Sequence, residues 1–144
     1  MARINRGQLP AHKGRIPDPS RPQDVPLRFS FKHVTFDNPK FGPQRCRQGY
    51  IEQFLLRLRD ISTMTVGEFR TNKSKALRVH RHDFAGTTEP SGFATLNEQL
   101  KANEAWQFQL TSNEHGRVHG MLVDDTFYVI WIDPDHELYK SALA

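Results

Sequence analysis

Cysteine is nearly absent from this chain: Cys46 is the single one, so no internal disulfide can form. That usage is typical of proteins in a reducing cytoplasm. The sequence has no apolar run long enough to span a bilayer, and its basic N-terminus lacks the apolar stretch of a secretory signal. It also lacks the HExxH motif and the paired cysteines of common zinc sites. These absences predict a cytoplasmic protein with no membrane contact, no metal and no other cofactor.

What the chain does contain is a surplus of positive charge and many large aromatic side chains. Its 144 residues include 20 lysines and arginines against 16 aspartates and glutamates, a net charge of +4 with histidine neutral. Ten phenylalanines and two tryptophans supply much of the buried area that one domain of this length needs. A basic balance favours an anionic partner, and nucleic acid is the most common one for a small protein.

Residues 1–26 differ in composition from the rest and predict an extended basic arm that precedes a single domain, residues 27–144. Five of the nine prolines lie in this stretch, and its five lysines and arginines outnumber its two aspartates. Two interpretations of the arm stay open. It contacts phosphate groups, or it is a solvated tail without a role.

Hydrophobic periodicity predicts one main amphipathic helix followed by a short one. The apolar positions that recur at helical spacing, and so define the buried face of the main helix, are Ile51, Phe54, Leu55, Leu58 and Ile61. Thr65 and Glu68 have the spacing of a capping box, in which each side chain accepts a backbone N–H of the other residue. A second helix or turn is therefore predicted from Thr65 to about Asn72.

Alternation of polar and apolar residues predicts the strands of a sheet. The segments are 28–36, with a bulge near Lys32 or His33, then 76–84, and finally three consecutive strands near 106–110, 116–124 and 127–132. Gln107 and Gln109 alternate with apolar neighbours, which predicts a wet face for that strand, whereas the last strand is apolar enough to be covered on both faces. The fold class is therefore α+β: a small antiparallel sheet with one main amphipathic helix packed on one face.

The strongest chemical signal is the spacing of basic and imidazole side chains on two of these strands. Arg117 and His119 are two residues apart and share a strand face, as do Arg78, His80 and His82. If the two strands are neighbours, these side chains form one solvent-open patch. Arginine donates bidentately to phosphate, and histidine transfers protons near neutral pH. Cleavage of RNA through its 2′-hydroxyl needs a base, an acid and a cation of this kind.

The layout of residues 48–139 resembles that of the bacterial RelE/ParE toxin superfamily. In both, helices precede antiparallel strands, and here the strand RVHGMLV, with its arginine followed by aliphatics, leads through an acidic turn into the strand FYVIWI. The chain differs from typical members in its length, its N-terminal arm and its 85–104 loop. It also has Asp133-Pro-Asp-His136 where the family is usually basic.

This resemblance implies a RelE-like fold and a ribosome-dependent mRNA interferase that works without a metal and is neutralised by an antitoxin. Arg117 matches the strand arginine of the family, and Tyr139 matches its C-terminal aromatic residue. With the strand pattern above, the predicted catalytic residues are Arg117, His119, Arg78, His80 and Tyr139. The predicted RNA contacts are Lys73, Lys75, Arg81 and His82.

Two alternatives stay open beside a toxin-like ribonuclease. The protein is a non-enzymatic basic module that binds nucleic acid or a protein partner, or it has a metal site. A metal would use His80 and His82 together with ligands from Asp133, Asp135 and His136. The competing interpretation of the segment from Asp133 to Glu137 is a turn with helix-capping aspartates.

Overall fold

A computed structural model describes residues 25–139, which form a five-stranded sheet with short helices. The strands are β1 (Arg28–Ser30), β2 (His80–Arg81), β3 (Glu104–Gln109), β4 (Arg117–Val123) and β5 (Thr126–Asp133). The helices are α1 (Tyr50–Ser62), α2 (Val66–Arg70) and α3 (Glu98–Lys101), with 3-10 turns at Pro43–Arg45 and Phe84–Gly86. The strand order is β1-β5-β4-β3-β2, and only the β1–β5 pair is parallel. The predicted α+β class, with a largely antiparallel sheet and one main helix, is confirmed.

The described chain begins at the end of the predicted arm, of which residues 1–24 lie outside the described residues. Val25 and Pro26 are already paired with the turn between α1 and α2. The Val25 carbonyl accepts the N–H of Val66 over 2.9 Å, and Pro26 forms a β-bridge with Thr65. The backbone is therefore held two residues before the predicted domain boundary. None of the helices within residues 25–139 is long and apolar enough to cross a bilayer.

Helix α1 packs on one face of the sheet, but its buried side is rotated from the predicted one. The side chains that meet the core are Tyr50, Phe54, Leu58 and Ile61. Ile51 and Leu55, predicted as buried, are 67% and 59% exposed, so that part of the prediction is wrong. The apolar stripe starts one residue earlier, at Tyr50. Arg57 occupies the core side, because its guanidinium donates to the Leu110 carbonyl over 3.0 Å.

Helix α2 begins with the predicted capping box. The Thr65 hydroxyl accepts the N–H of Glu68 over 3.1 Å, and the Glu68 carboxylate accepts the N–H of Thr65 over 2.9 Å. This prediction is confirmed. The cap places Val66 and Phe69 in the core beneath the sheet, where both are buried.

Two predicted strands are shorter than their alternation suggests. Strand β1 ends at Ser30, and a turn at Lys32 and His33 replaces the predicted bulge. The strand predicted over 76–84 is reduced to β2, because Arg78 adopts a left-handed φ of 47° that interrupts the extended backbone.

The sheet is covered on both faces, which gives the domain two cores. The helix face buries Phe69, Trp106, Phe108, Val118 and Phe127, and the opposite face, here called the loop face, buries Phe41, Phe93, Met121, Trp131 and Leu138. Gln107 and Gln109 are only 1% and 6% exposed, so the predicted wet face is wrong. Loops rather than a helix cover these glutamines, and loop residues carry no period that a sequence pattern reveals. The predicted cover on both faces of β5 is confirmed.

Two glycines let β5 approach β4 closely on either side of His119. A Cβ atom at Gly116, which has a φ of +64°, would lie 2.1 Å from the Asp133 carbonyl oxygen. A Cβ atom at Gly120 would lie 2.0 Å from a carbonyl oxygen of β5. At Gly120 the pairing also shifts register, which leaves Ile130 as the extra residue of a β-bulge. The backbone around His119 is thus fixed against its neighbour.

Candidate functional site

Four side chains on the loop face form a continuous chain of hydrogen bonds from the surface to the core. The Nε2 atom of His119 donates to Oδ2 of Asp133 over 2.8 Å. The Nδ1 atom of His119 lies 2.9 Å from Nε2 of His82, whose Nδ1 is hydrogen-bonded to the hydroxyl of Tyr139. His82, His119 and Asp133 are buried, whereas Tyr139 is 43% exposed. This Tyr-His-His-Asp chain therefore connects a carboxylate in the core to a phenol at the surface.

Strand register explains how the two histidines meet. His119 on β4 lies opposite Gln107 on β3, which lies opposite His80 on β2, so the three side chains share a face. His82 extends the pairing of β2 by one step, since its N–H donates to the Ala105 carbonyl over 2.8 Å. Its ring centroid consequently lies 5.4 Å from that of His80 and 4.8 Å from that of His119.

Asp133, the last residue of β5, organises the turn that carries the tyrosine. Its carboxylate accepts the N–H of Glu137 over 2.7 Å and the N–H of Leu138 over 3.1 Å. The predicted turn is present, but no helix follows it within residues 25–139, so Asp133 caps a turn rather than a helix. Leu138 is buried in the core of the loop face and anchors the next residue, Tyr139, beside His82. The Asp133 carboxylate thus accepts the hydrogen bond of His119 at the inner end of the Tyr-His-His-Asp chain and also holds the turn that positions Tyr139 at the outer end.

Burial and hydrogen bonding set the charges of these groups. Burial lowers the pKa of His82 to about 2, and the neighbouring His119 and His80 add to that shift. Burial also lowers the pKa of His119, although Asp133 opposes it. Burial of Asp133 opposes its ionisation, but the hydrogen bonds from His119 and from two backbone N–H groups hold its pKa below the ordinary value. Burial raises the pKa of Tyr139 to about 12. Near neutral pH the aspartate is therefore ionised and the other three groups are neutral.

The ionised carboxylate gives every hydrogen bond in the chain a direction. Asp133 can only accept, so His119 carries its proton on Nε2 and presents a lone pair at Nδ1. His82 must then donate from Nε2 and accept at Nδ1. The hydroxyl of Tyr139 donates to that Nδ1 atom, which leaves the oxygen lone pairs directed away from the chain. A proton accepted by Tyr139 can thus be passed inwards to the imidazole beside Asp133.

Tyr139 opens onto a cavity of about 130 Å³. Its lining consists of His80, Gln107, Arg117, Asp133, His136 and Tyr139. The volume corresponds to about four water molecules and is far below that of a pocket for a drug-sized ligand. Arg117 donates to the side-chain oxygen of Gln109 and stays cationic, although burial and the nearby Arg78 lower its pKa. The cavity thus combines the Arg117 cation and the Asp133 carboxylate with two imidazoles, an amide and a phenol, in a space large enough for one phosphate group.

Three of the predicted catalytic residues, His80, Arg117 and Tyr139, line this one cavity. His119 is fully buried, so the prediction of a solvent-open patch that includes it is wrong. The reason is that the loop before α1 covers it with Phe41, whose ring centroid lies 6.2 Å from that of His119. The histidine acts through the chain rather than at the surface.

The remaining predicted residues lie elsewhere. Arg78 is exposed and outside the cavity lining, because its left-handed φ removes it from the strand and only its carbonyl contacts Gln107. Lys73, Lys75 and Arg81 are likewise exposed and outside the lining. His82, predicted as an RNA contact, is 9% exposed with both ring nitrogens engaged in the chain, so that prediction is wrong.

Sequence reasoning missed Gln107 as a site residue, weighed Asp133 only as a metal ligand or a turn residue, and left His136 out of the predicted catalytic set. The alternation of Gln107 with tryptophan and phenylalanine did place it on the face away from the helix. Its burial depends on loops, and no sequence signal indicated them. The link between Asp133 and His119 joins two strands and depends on the β4–β5 register.

No set of side chains that matches the alternative of a metal site is present in the described part of the chain. Among residues 25–139, no group of three or more histidine, cysteine, aspartate or glutamate side chains is arranged to hold a metal ion. His80 and His82 are neighbours, but both ring nitrogens of His82 are hydrogen-bonded. Asp135 binds Arg45 and Arg47 instead, at 3.0 Å and 2.6 Å.

Comparison of the chain with protein-family models, with curated proteins and with solved structures found no match. The resemblance to the RelE/ParE superfamily therefore rests on the strand pattern alone. The chemistry of the cavity has to be argued from its own side chains.

Proposed function

We propose that this protein is a metal-independent endoribonuclease that cleaves RNA through the 2′-hydroxyl group. The observation that carries the proposal is the Tyr-His-His-Asp chain, whose outer end opens on the same cavity as Arg117 and His80. Cleavage of this type needs a proton acceptor for the 2′-hydroxyl, a cation for the charge that develops at phosphorus, and a proton donor for the leaving oxygen. The cavity offers a candidate for each.

Tyr139 is the proposed general base, and it acts through the chain behind it. As the 2′-hydroxyl gives its proton to the tyrosine oxygen, the phenolic proton moves to Nδ1 of His82, and the Nε2 proton of His82 moves to His119. His119 becomes an imidazolium ion beside the ionised Asp133, which balances its charge. The concerted transfer matters because a pKa of about 2 makes His82 a poor place for a proton to rest.

Arg117 and His80 complete the reaction. The guanidinium of Arg117 donates to the non-bridging phosphate oxygens, for which its planar shape is suited. The Nδ1–H of His80 donates to the Arg81 carbonyl over 3.0 Å, so a neutral His80 has only a lone pair on Nε2. In its imidazolium form His80 gives the Nε2 proton to the leaving 5′-oxygen and is left neutral. The 2′-oxygen bonds to phosphorus as the bond to the 5′-oxygen breaks. The products are a 2′,3′-cyclic phosphate and a 5′-hydroxyl.

Exposed basic side chains on and before β2 supply the wider attraction for RNA. Lys73, Lys75, Arg78 and Arg81 are all exposed, and β2 is an edge strand of the sheet. Contacts from these residues to phosphates on either side of the cleaved bond make binding dependent on salt. The same basic surface is the observation that favours the second candidate function, a module that binds nucleic acid without cleaving it.

We further propose that the enzyme acts as a toxin on ribosome-bound mRNA and is neutralised by an antitoxin. The support for this context is the resemblance to the RelE/ParE superfamily. Expression of the protein alone should arrest growth, and co-expression of a small neighbouring gene should restore it. Normal growth in cells that accumulate the folded protein would contradict the toxin proposal. It would leave the proposal of RNA cleavage to be tested on purified RNA.

The decisive experiment is cleavage of purified RNA by the Tyr139→Phe variant. Loss of the hydroxyl removes the entry to the proton chain, so the rate should fall by about 10²–10⁴ with little change in melting temperature. Tyr128→Phe is the matched control, because Tyr128 on β5 is half-buried and lies outside the cavity lining. A chelator should leave the wild-type rate unchanged.

Three outcomes would contradict the proposal. Wild-type cleavage by Tyr139→Phe would remove the tyrosine from the mechanism. Tight RNA binding by the wild-type protein without cleavage would favour the binding module, and loss of cleavage on chelation would favour metal chemistry.

A further inference from the structure

We propose that the same cavity also hydrolyses 2′,3′-cyclic phosphates, with a water molecule held by Gln107 and His136. The inference rests on the proposed function, since RNA cleavage would deliver such a phosphate to the cavity. Both side chains line the cavity with a buried acceptor that has no hydrogen-bond partner among residues 25–139: Oε1 of Gln107 and Nε2 of His136. A buried acceptor without a donor is costly, so the pair marks the place of a donor that binds between them.

Gln107 is oriented so that its oxygen is the free atom. The side chain is 1% exposed, and its Nε2 donates to the Arg78 carbonyl over 3.0 Å. A flipped amide would set its oxygen against that carbonyl, and two acceptors cannot form a hydrogen bond. The Oε1 atom is therefore committed to the cavity.

His136 is held in the cavity wall by the turn after β5. Its backbone has a left-handed φ of 57°, uncommon outside glycine and often associated with functional sites. A hydrogen bond with the backbone of Ser112 leaves Nε2 as the unpartnered ring nitrogen. Burial lowers the pKa of His136, so near neutral pH this nitrogen presents a lone pair.

A water molecule satisfies both acceptors, because it has two hydrogens to donate. A ribose hydroxyl has one hydrogen and would leave one of the two acceptors unpaired. The cavity, at about 130 Å³, has room for this water beside other groups. With both hydrogens held, the oxygen lone pairs of the water face the interior of the cavity, where Arg117 binds the phosphate.

The hydrolysis balances with water as the only added reactant. The water oxygen bonds to phosphorus as the bond from phosphorus to the 2′-oxygen breaks. His136 takes one proton from the water, and Tyr139 gives a proton to the departing 2′-oxygen. After RNA cleavage that proton is the one stored on His119, so the Tyr-His-His-Asp chain returns to its starting state. When a cyclic phosphate binds from solution instead, the chain first takes up one proton from bulk water through Tyr139. The product is a 3′-phosphate with a free 2′-hydroxyl.

The test uses adenosine 2′,3′-cyclic monophosphate as the substrate and follows its products by chromatography. The wild-type protein should form adenosine 3′-monophosphate. Gln107→Met and His136→Ala should slow this hydrolysis by about tenfold or more, and by more than they slow RNA cleavage, so that the cleavage products accumulate with cyclic phosphate ends. Gln99→Met, at an exposed glutamine of α3, is the matched control and should hydrolyse at the wild-type rate.

The two proposals fail in different ways. A wild-type protein that cleaves RNA but leaves the cyclic phosphate intact overturns the hydrolysis and leaves the cleavage standing. A wild-type protein that hydrolyses the cyclic phosphate without cleaving RNA supports the water site and overturns the endonuclease. If Gln107→Met fails to fold, His136→Ala decides, and an unchanged rate there shows that this imidazole does not hold the water. The pH dependence of the hydrolysis rate gives a second test. Because the pKa of His136 is lowered, the wild-type rate should fall only at pH values below the ordinary titration range of histidine.

Discussion

Both faces of this sheet are buried, but by different means. On the helix face, α1 and α2 cover apolar side chains such as Phe108 and Phe127, and hydrophobic burial is the main source of stability there. On the loop face, irregular segments cover Gln107, His119 and Asp133, which require directed hydrogen bonds. The helix face accordingly tolerates conservative changes of shape, whereas the loop face depends on the exact positions of donors and acceptors. The candidate site lies on the loop face, where His82, His119 and Asp133 are buried and hydrogen-bonded to one another.

The largest effect on stability is expected from the helix face. Phe127 is fully buried, and its ring centroid lies 5.3 to 6.0 Å from those of Phe29, Phe69 and Phe108. Phe127→Ala should lower the free energy of unfolding in urea by about 3–5 kcal/mol. Phe36→Ala, at a residue that is 63% exposed, should change it by less than about 0.5 kcal/mol. A loss below about 1 kcal/mol in Phe127→Ala would show that this core is not the main source of stability.

A smaller loss of stability, with a much larger loss of activity, is expected from Asp133→Asn on the loop face. The amide cannot accept all three hydrogen bonds that the carboxylate accepts, so the free energy of unfolding should fall by about 1–3 kcal/mol. RNA cleavage should be lost at temperatures where the variant remains folded. Asp135→Asn removes only ion pairs at the edge and should cost about 0–1 kcal/mol without loss of cleavage. If Asp133→Asn and Asp135→Asn lost the same stability and the same cleavage activity, the distinction between the buried carboxylate and the one at the edge would be wrong.

The loop face should also make stability depend on pH. The ordinary pKa of histidine is 6.5, and that of His82 is lowered to about 2 in the folded protein. Below pH 6.5 the unfolded chain therefore binds a proton that the folded chain does not. The contribution of His82 is fully present above that pH and is lost progressively as the pH falls towards 2. The lowered pKa values of His119 and Asp133 act in the same direction.

Melting temperatures measured at several pH values between about 7 and 4 will test this dependence. His82→Gln should melt at a lower temperature at neutral pH but with a shallower dependence on acid than the wild type. His33→Gln, outside the Tyr-His-His-Asp chain, should keep the wild-type slope. Parallel curves for all three proteins would mean that His82 does not titrate with folding.

The smallest effects concern α1. Leu58 packs against the core of the helix face, so Leu58→Ala should cost about 1–3 kcal/mol in urea unfolding. Leu55→Ala, on the exposed side, should change the free energy of unfolding by less than about 0.5 kcal/mol. The reverse order would restore the helix face predicted from the sequence.

The helix face was largely accessible to sequence reasoning because its elements are regular. The fold class and the capping box at Thr65 followed from alternation and spacing. Where regularity fails, the predictions were wrong: the stripe of α1 begins at Tyr50, and a single left-handed residue, Arg78, shortens β2 to two residues.

The candidate site was accessible only in part. Residue types and strand parity identified His80 and Arg117, and the family resemblance suggested Tyr139; all three line one cavity. The burial of His119 and the unpartnered acceptor of Gln107 depend on loop segments and on the register of strands that are distant in sequence. Side-chain spacing along one strand carries no information on these contacts.

The parallel pairing of β1 with β5 has a consequence for folding kinetics. Arg28 pairs with Thr126, so this contact closes nearly the whole described chain, whereas β3, β4 and β5 pair through short connections. Local pairings form early and contacts of large sequence separation form late. The segment that follows β1 carries Phe41, which covers His119. A newly made chain is therefore expected to form its strand meander first, with His119 open to water, and to bury this histidine only at the last step of folding.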